Sequence, residues 1–328
     1  HGTRDREQEI YQILPRSLRG IFHQMKLDFI RLQEIRFRIG APVLILYGGE
    51  EYFVTSSGKI AKEVRQAYYL TREELRETME YISNYSLYAY EEELRQGYLT
   101  IQGGHRIGVA GKIILEGRQI KNIRHISFLN IRLAHEIPGC AAPILPYIFQ
   151  EDSIFHTLIV SPPCRGKTTL LRDLIRMISN GGSGHTGMTV GVVDERSELG
   201  ACYMGQPQND IGFRTDILDG CPKVEGMMLL VRSMSPKVIA VDEIGSGADV
   251  EAMEYVMNCG VKLLATVHGE GMEEIQGKPV LGRLIREKMF QRYILLGGEQ
   301  TGMVEAIFDE RGSLIASYRE LGGERTAC

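Results

Sequence analysis

The segment HTLIVSPPCRGKTTLLRD, residues 156–173, decides the fold because an apolar run leads into a lysine-containing turn and then into a helical pattern. Its middle follows the phosphate-loop pattern G-x-x-x-x-G-K-[ST], with Ser161 in the place of the first glycine. In such loops the backbone amides and the helix N-terminus point at phosphate oxygens. The segment therefore predicts a strand, a phosphate-binding loop and a helix, in that order.

The residue types in this loop predict a role for each position. Lys167 is expected to reach the β- and γ-phosphates of a nucleotide, and the Thr168 hydroxyl is expected to ligate Mg²⁺. Serine at 161 tolerates the loop entry less well than glycine would if φ is positive there. The predicted nucleotide contacts are Ser161, Pro162, Pro163, Cys164, Arg165, Gly166, Lys167, Thr168 and Thr169.

A second apolar run, KVIAVDEIG (237–245), ends in two carboxylates. Asp242 is expected to hold Mg²⁺ through water, and Glu243 is expected to orient and deprotonate the attacking water. Phosphoryl transfer depends on positioning and charge neutralisation, so a metal, a lysine and one base suffice. The two motifs together predict ATP hydrolysis with ATP and Mg²⁺ as cofactors.

Two further strand ends carry polar side chains that are expected at the same sheet edge. Asp194, Glu195 and Glu198 follow one apolar run, and Thr266 and His268 end another. Ligands of α/β proteins bind at the carboxyl ends of parallel strands. Glu195, Glu198 and His268 are therefore catalytic candidates, with His268 sensing the γ-phosphate. Capping or salt-bridge roles for the two glutamates, and a satisfied strand-end histidine, fit the pattern equally well.

The C-terminal part of the chain alternates strands and helices. Near-continuous Val/Ile/Leu runs that alternate with helical stretches predict a mostly parallel sheet covered on both faces. A hairpin is expected around Arg311-Gly312. Residues 200–224 form a long connection, which we expect to contact a neighbouring subunit. The predicted strands are 156–161, 189–194, 237–242, 262–268 and 292–296, and the predicted helices are 168–179, 225–234 and 248–258.

The first 140 residues predict a smaller α+β domain. Residues 9 to about 32 have helical spacing, EIRFRIG alternates as a strand, and Thr71-Arg-Glu-Glu74 is a capping box. Residues 97–117 are expected to form a strand, a Gly-Gly turn and another strand. Pro138-Gly139 and Pro143 mark the predicted boundary, which gives domains at 1–140 and 141–328.

Composition excludes several other classes of protein. The 328 residues are 43% hydrophobic and 24% charged with a net charge of −4, so the bulk charge attracts neither nucleic acid nor an anionic membrane. No apolar run approaches the roughly 18 residues that a membrane-spanning helix needs. The six cysteines lack the clustering of a zinc site. Membrane association is therefore expected to go through partner proteins.

With four strand ends assigned, the C-terminal half resembles the RecA-like ATPases of type II and type IV secretion systems. Those carry a Walker A loop, an acidic box, a Walker B strand and a histidine box in this order. The counterparts here are 161–168, 194–198, 238–243 and 266–268. The Walker B of those ATPases usually carries Gly-Glu, whereas this chain has Asp242-Glu243.

A closer resemblance, over roughly residues 10–320, is to the stage III sporulation protein AA family of endospore-forming bacteria. It implies an oligomeric ATPase, hexameric by analogy, that energises a membrane channel or assembly complex at its cytoplasmic, mother-cell face. The segments that carry it are EIRFRIGAP, YAYEEELRQGYLTIQGGHRIGVAG, SPPCRGKTTLLRD, DERSELGA, PQNDIGFRTDILDGCPKVEGMMLLVRSMSP and VDEIG.

The resemblance also implies that arginines from a neighbouring subunit complete the site, since the N-terminal domain of secretion ATPases packs on its neighbour. An arginine supplied in this way is worth roughly 10³–10⁵ in rate. For any one candidate, a solvated strand-face arginine is the alternative interpretation. The candidates are Arg36, Arg38, Arg106 and Arg132 in the N-terminal domain and Arg196, Arg214 and Arg232 in the C-terminal one.

Two other functions remain compatible with the sequence. A nucleic-acid-dependent RecA-like ATPase would use a basic surface with interleaved aromatic residues. The Arg36/Phe37/Arg38 strand and the Tyr81–Tyr90 stretch are the segments that suggest one, and they do not favour it over a transport motor. An ATP-binding scaffold with little turnover is the second alternative, and Ser161 is the residue that supports it.

Overall fold

The computed structural model describes residues 3–84, 86, 90–182, 184–298 and 301–321. The chain divides into two compact units, His1–His135 and Glu136–Cys328, here called the N-terminal and C-terminal units. The division falls slightly before the boundary expected at 140. Each unit contains a large sheet of its own.

The N-terminal unit has an antiparallel sheet with strand order β4-β3-β2-β1-β7-β6-β5. Its elements are helices α1 (Thr3–Ile13), α2 (Arg16–Met25), α3 (Arg72–Ile82) and α4 (Glu91–Gln96), a 3₁₀ turn at Val64–Gln66, and strands β1 (Leu32–Arg38), β2 (Leu44–Tyr47), β3 (Glu50–Val54), β4 (Ile60–Ala61), β5 (Tyr98–Thr100), β6 (Arg106–Glu116) and β7 (Gln119–Arg132).

Local sequence explains most of these elements. Ile35 and Phe37 of β1 are fully buried, as the alternating pattern predicts. Both hydrogen bonds of the Thr71 capping box are present at the start of α3: the Thr71 side chain accepts from the Glu74 amide, and the Glu74 side chain accepts from the Thr71 amide. The helical spacing from 9 to about 32 corresponds to two helices that end before 32, because α1 ends at Ile13, Pro15 caps α2 and α2 ends at Met25. Proline lacks the amide that would continue the helix through this position.

The C-terminal unit has an eight-stranded sheet with order β12-β11-β13-β14-β10-β15-β16-β17. Its elements are helices α5 (Leu145–Ile148), α6 (Lys167–Asn180), α7 (Lys223–Ser233), α8 (Gly247–Asn258), α9 (Met272–Gly277) and α10 (Pro279–Arg286), and strands β8 (Phe149–Gln150), β9 (Ser153–Ile154), β10 (Thr157–Ser161), β11 (Val190–Asp194), β12 (Thr215–Asp219), β13 (Val238–Val241), β14 (Lys262–His268), β15 (Arg292–Leu296), β16 (Val304–Asp309) and β17 (Leu314–Ser317); β8 and β9 form a separate pair.

This sheet is covered on both faces, as predicted. Along β10, Leu158 and Val160 pack into one core cluster and Ile159 into the other. The strands from β12 to β15 pair in parallel, and only β16 and β17 are antiparallel. The carboxyl ends of the parallel strands therefore meet at one edge, where a RecA-like domain binds its ligand.

One strand of this sheet was missed. Thr215–Asp219 lies inside the segment 200–224, which was expected to be a connection, and it pairs in parallel with β11 at the sheet edge. Its sequence, TDILD, has only two apolar residues between aspartates, so it lacks the long apolar run of the central strands. Among the described residues, no helix is long and apolar enough to cross a membrane.

Candidate nucleotide-binding site

The phosphate loop connects β10 directly to α6. β10 ends at Ser161 and α6 begins at Lys167. Left-handed φ values occur at Cys164 (+58°) and Gly166 (+87°), and Ser161 has none. Serine at 161 therefore carries no backbone strain, because the positive φ that would require glycine falls later in the loop.

Gly166 is the position at which this loop needs a glycine. A Cβ built there would lie 3.0 Å from the Cα of Gly302, in addition to the strain of its left-handed φ. The Gly302 amide donates to the Arg165 carbonyl at 2.8 Å, which fixes the loop against the turn at 301–302. Gly166 also precedes α6 without any side-chain cap. The first amides of α6 are thus left for an anion.

Asp242 and the hydroxyls around it form the first half of the site. It follows β13, and its Oδ2 accepts a hydrogen bond from Thr168 Oγ1 at 2.8 Å. Its Oδ1 accepts a short hydrogen bond from Thr266 Oγ1, at the end of β14. Two hydroxyls from two elements therefore orient this carboxylate toward the start of α6.

Glu243 is the centre of the second half. Its Oε1 accepts from Lys167 Nζ at 2.7 Å and lies 3.2 Å from His268 Nε2. Its Oε2 accepts from Arg196 Nη1 at 2.8 Å. The structure thus brings a lysine, an arginine and a histidine from three separate segments onto a single carboxylate.

The backbone of Glu243 is itself unusual. Its φ is +54°, a left-handed value that is rare for a residue with a side chain. The amide of Glu243 donates to Thr266 Oγ1 at 2.9 Å, which supports this turn. Such strain typically persists at functional sites, where the surrounding structure holds it in place.

The electrostatics of Glu243 follow from these contacts. Burial raises the pKa of Glu243, but the hydrogen bond from Lys167 and the charges of Lys167, Arg196 and His268 outweigh it and lower the pKa below the ordinary glutamate value. Glu243 is therefore ionised in this arrangement. His268 Nδ1 is buried and has no hydrogen-bond partner among the described residues.

The acidic residues at and after the end of β11 contact other partners than the nucleotide site at which they were expected. Asp194 is buried and accepts from the amides of Glu198, Leu199 and Gly200 at 2.9–3.2 Å. Burial raises the pKa of Asp194, opposed by these three hydrogen bonds. Glu195 Oε2 accepts from Lys223 Nζ at 2.7 Å, and the Glu198 carboxylate lies 3.9 Å from Arg196. These contacts match the structural alternative for both glutamates, and Arg196 is the residue of this segment that reaches Glu243.

The other two candidate arginines of the C-terminal unit are Arg214, which serves the fold, and Arg232, which lies away from Glu243. Arg214 Nη1 donates to the carbonyls of Ser179 and Asn180 at 2.9 and 3.1 Å, which caps the end of α6. Arg232 is exposed in the last turn of α7.

The four N-terminal candidates share one face of the antiparallel sheet, here called the arginine face (Arg36, Arg38, Arg106 and Arg132). Strand register aligns Arg36 with Asn130 and Gly108, and Glu34 with Arg132 and Arg106. Glu34 lies 3.2 Å from Arg36 and 3.6 Å from Arg132. A shallow cavity of about 280 Å³ lies beside Arg36 and Arg38 on this face.

Phe37 lies on the opposite, buried face, whereas Phe128 pairs with Arg38 and the Tyr98 ring centroid lies 4.0 Å from the Arg106 guanidinium carbon, so two aromatic residues accompany the arginines on this face. In the Tyr81–Tyr90 stretch, residues 85 and 87–89 lie outside the described residues.

Two polar residues near the site were given no role from the sequence: Thr266, which was expected at this sheet edge, and Arg172, which was not selected. Thr266 contacts both Asp242 and the Glu243 amide. Arg172 lies one helical turn after Thr168 and donates to the carbonyls of Leu199 and Glu198 at 2.7 and 2.5 Å. The sequence signal for Arg172 was its position four residues after Thr168, because residues four apart lie on the same face of a helix.

Comparison with known proteins agrees with this architecture. The family model described as "Sporulation stage III, protein AA" matches residues 4–315. Stage III sporulation protein AA of Bacillus subtilis (strain 168) is 39% identical over 310 residues, which are 94% of this chain and 97% of that protein.

Solved structures share the fold at low sequence identity. The ATPase DotB of Legionella pneumophila has a TM-score of 0.55 and 15% identity, covering 84% of this chain and 74% of its own. The pilus retraction motor PilT, solved with bound ADP, has a TM-score of 0.53 and 16% identity, covering 81% and 74%. Both likenesses support the RecA-like fold.

Proposed function

The chain belongs to the sporulation stage III protein AA family, and on this premise we propose that it is an Mg²⁺-dependent ATPase. The observation that carries the proposal is the convergence of Lys167 on Glu243 and of Thr168 on Asp242, at the carboxyl edge of a parallel sheet. Phosphoryl transfer needs this set of groups: a lysine, a hydroxyl, a metal-binding carboxylate and a base.

The residues present fit both cofactors. The uncapped N-terminus of α6 and the left-handed turn at Gly166 offer backbone amides to the phosphates of ATP. Oxygen ligands suit Mg²⁺, and the paired oxygens of Thr168 and Asp242 supply them, with Asp242 acting through water. When bound, Mg²⁺ neutralises charge that develops on the phosphate oxygens.

Each residue of the site then has a defined task. Lys167 binds the β- and γ-phosphates, and Glu243 orients the attacking water and accepts its proton. His268, 3.2 Å from Glu243, donates a hydrogen bond toward the γ-phosphate. Arg196 holds Glu243 in place from the same chain. The buried Asp194 shapes the turn that presents Arg196, and Glu195 and Glu198 support that turn.

The lysine contact implies a change on nucleotide binding. Lys167 and Glu243 neutralise one another at 2.7 Å, and both side chains are largely buried. The phosphates of ATP compete for the ammonium group of Lys167, which releases one oxygen of Glu243 for water. The base therefore becomes available when the substrate is present.

Hydrolysis of ATP by purified variants tests the proposal. Lys167→Ala is expected to abolish ATP binding and turnover, and Glu243→Gln is expected to bind ATP while losing at least roughly 100-fold in kcat. Glu287→Gln is the matched control, since this exposed glutamate pairs with Arg283 away from the site. Normal turnover by Glu243→Gln would remove Glu243 as the base.

We further propose that the protein works as a homo-oligomer, with six subunits by analogy with secretion ATPases. The N-terminal domain (1–140) then contacts a neighbour and offers its arginine face to that neighbour's nucleotide, and the domain at 141–328 hydrolyses ATP. The support is the clustering of four arginines on one exposed sheet face. Light scattering after size exclusion, with and without ATP and Mg²⁺, tests this, and a strictly monomeric protein contradicts it.

We propose that this motor works in sporulation, and the support is membership of the sporulation stage III protein AA family. We propose that it energises a channel or assembly complex from the cytoplasmic, mother-cell side of a membrane. Membrane proteins of that complex are then its direct partners. Co-purification from sporulating cells with and without the Lys167→Ala substitution tests whether the complex depends on the ATP site.

A further inference from the structure

We propose that the distal part of the β6–β7 hairpin, residues 112–124 and here called the ribbon, is a binding site for an anionic lipid surface. The proposal concerns a site in the N-terminal unit that the ATPase chemistry does not use. It stands or falls separately from ATP hydrolysis.

The ribbon extends beyond its sheet. β5 pairs with β6 only at Arg106–Gly108, and β1 pairs with β7 only at Phe128–Arg132. Residues 112–116 and 119–124 therefore pair with no third strand; the Lys121 carbonyl accepts a hydrogen bond from Arg95 of α4 at 3.0 Å, and Ile123 is buried in the core of the unit. A two-stranded ribbon is marginally stable by itself, so its exposed apolar residues are not explained by the fold.

A bulge directs the ribbon away from the sheet. The register shifts between Ala110 and Lys112, and His125 opposite has a left-handed φ of +49°. A Cβ on Gly111 would lie 2.6 Å from the His125 carbonyl oxygen, so the strands can pass only with glycine there. Bulges of this kind re-aim a strand at the edge of a sheet.

The ribbon ends in exposed aliphatic side chains. Ile113, Leu115 and Ile120 are 42%, 60% and 48% exposed. Leu115 pairs directly with Ile120, and Ile113 precedes Leu115 by two residues on β6, with a register shift between Ile114 and Leu115. Three large aliphatic residues thus form one apolar tip. Clustered exposure of this kind marks an interaction site.

The charged residues of the ribbon indicate which kind of partner it binds. The ribbon carries Lys112, Arg118, Lys121 and Arg124 against a single acidic residue, Glu116, in a chain whose net charge is −4. Lys112, Arg118, Lys121 and Arg124 are all exposed, and Lys121 contacts Glu116 at 3.2 Å. Protein–protein interfaces are depleted in lysine, whereas elements that lie on anionic membranes combine aliphatic residues with lysine and arginine.

The backbone of the ribbon limits how deeply its tip can enter a membrane. The outer edges of the ribbon have amides and carbonyls that no other strand pairs, and such groups cannot enter hydrocarbon. The ribbon therefore rests at headgroup level, with its aliphatic tip at the acyl boundary and its basic residues among the phosphates. A second copy of the same ribbon does not fit, because the two basic surfaces repel each other.

The absence of tryptophan from the chain allows a site-specific test. In the full-length protein, Leu115→Trp is expected to shift its emission to the blue with vesicles of phosphatidylcholine and phosphatidylglycerol, and less with phosphatidylcholine alone. Leu314→Trp is the matched control, because Leu314 is 59% exposed on an edge strand of the C-terminal unit. An unshifted Leu115→Trp emission, or an equal shift in both variants, overturns the proposal.

Two substitution sets check the charge and the apolar contribution in a vesicle sedimentation assay. Lys112→Gln with Arg118→Gln is expected to weaken binding roughly 30-fold, and Lys59→Gln is expected to leave it unchanged. Ile113→Ser with Leu115→Ser is also expected to weaken it. The glutamine variants remove no buried packing, so they decide the matter if the serine variant fails to fold. Unchanged vesicle binding overturns the proposal, and so does a change in oligomeric mass in place of vesicle binding, which would assign the tip to a contact between protein copies.

Discussion

Arg196 and Lys167 hold the two oxygens of the same carboxylate, that of Glu243, at 2.8 and 2.7 Å. An arginine that completes such a site was expected to come from a neighbouring subunit, with Arg196 among the candidates. The contact within one chain favours another role for Arg196 in the proposed site, which is to neutralise and orient Glu243. Removing Arg196 is therefore expected to change the charge state of Glu243 directly, whether or not it also affects contacts in an oligomer.

Arg196→Gln is expected to raise the pKa of Glu243. The charge of Arg196 is one of the causes that lower this pKa, and the burial that opposes them stays in place. Glu243 must be ionised to accept a proton, so the acidic limb of the kcat profile moves to higher pH. Carboxyl-carbon NMR of the nucleotide-free protein measures the pKa directly, and Arg232→Gln is the control. An unchanged pKa would show that Arg196 does not govern the charge state of Glu243.

Thr266→Val is expected to lower Mg²⁺-dependent turnover roughly 10–100-fold while ATP binding changes little. The hydroxyl of Thr266 donates to Asp242 and accepts from the Glu243 amide, so valine leaves both acidic residues without their common support. Thr266→Ser retains the hydroxyl and is expected to keep most activity. Equal losses in the valine and serine variants would mean that packing of the methyl group, and not the hydroxyl, supports the site.

At the scale of elements, α6 links the phosphate loop to the segment that begins the C-terminal unit. Asp173 is buried on this helix and accepts from the amides of Gly139 and Ala141 at 2.8–3.1 Å. Arg176 pairs with the same carboxylate at 2.7 Å. One carboxylate thus anchors the chain at 139–141 to the helix whose first residue is Lys167.

Asp173→Ala is expected to destabilise the protein by about 3 kcal/mol, because it leaves the amides of Gly139 and Ala141, the second of them buried, and the Arg176 guanidinium without their acceptor. Urea unfolding of the full chain measures the loss, and the exposed Asp216→Ala is the control. Since Asp173 lies on α6, ATP binding is expected to weaken along with stability. A stable variant with normal ATP affinity would show that the 139–141 anchor is dispensable.

The elements that sequence predicts well are those set by local pattern. Near-continuous apolar runs identify β10, β13 and β14 because strands buried on both faces admit few polar residues. β12 was missed because an edge strand buries little, and TDILD has too short an apolar run to stand out. The break at Pro15 was available in the sequence, yet the apolar spacing around it obscured the end of α1.

Sequence order predicts the site less completely, because contacts between strand ends depend on three-dimensional direction. The motif spacing places Asp242 and Glu243 near the phosphate loop, and in the structure they contact Thr168 and Lys167. It does not reveal that Glu195 turns to Lys223 while Arg196, the next residue, turns to Glu243. Adjacent residues in a turn point in different directions, and only the backbone conformation decides which one faces the site.

At the scale of the whole molecule, the two units carry complementary parts of the proposed motor. The C-terminal unit contains every residue assigned to nucleotide and metal, and the N-terminal unit contains the arginine face. Glu34 lies between two of these arginines and partly neutralises them. Arg38 and Arg106 lie on the same face, and a double variant removes both.

Mixing two inactive variants tests whether the arginine face acts between subunits. Arg38→Ala with Arg106→Ala keeps an intact nucleotide site but lacks the arginines, and Lys167→Ala keeps the arginines but lacks the site. In an equal mixture about a quarter of the interfaces join an intact site to intact arginines, so activity is expected to return at those interfaces. Mixing Lys167→Ala with Glu243→Gln is the control, because both changes fall in the same site and no interface is complete. If the first mixture recovers no more activity than the second while both form mixed oligomers, the arginine face does not serve the neighbouring nucleotide.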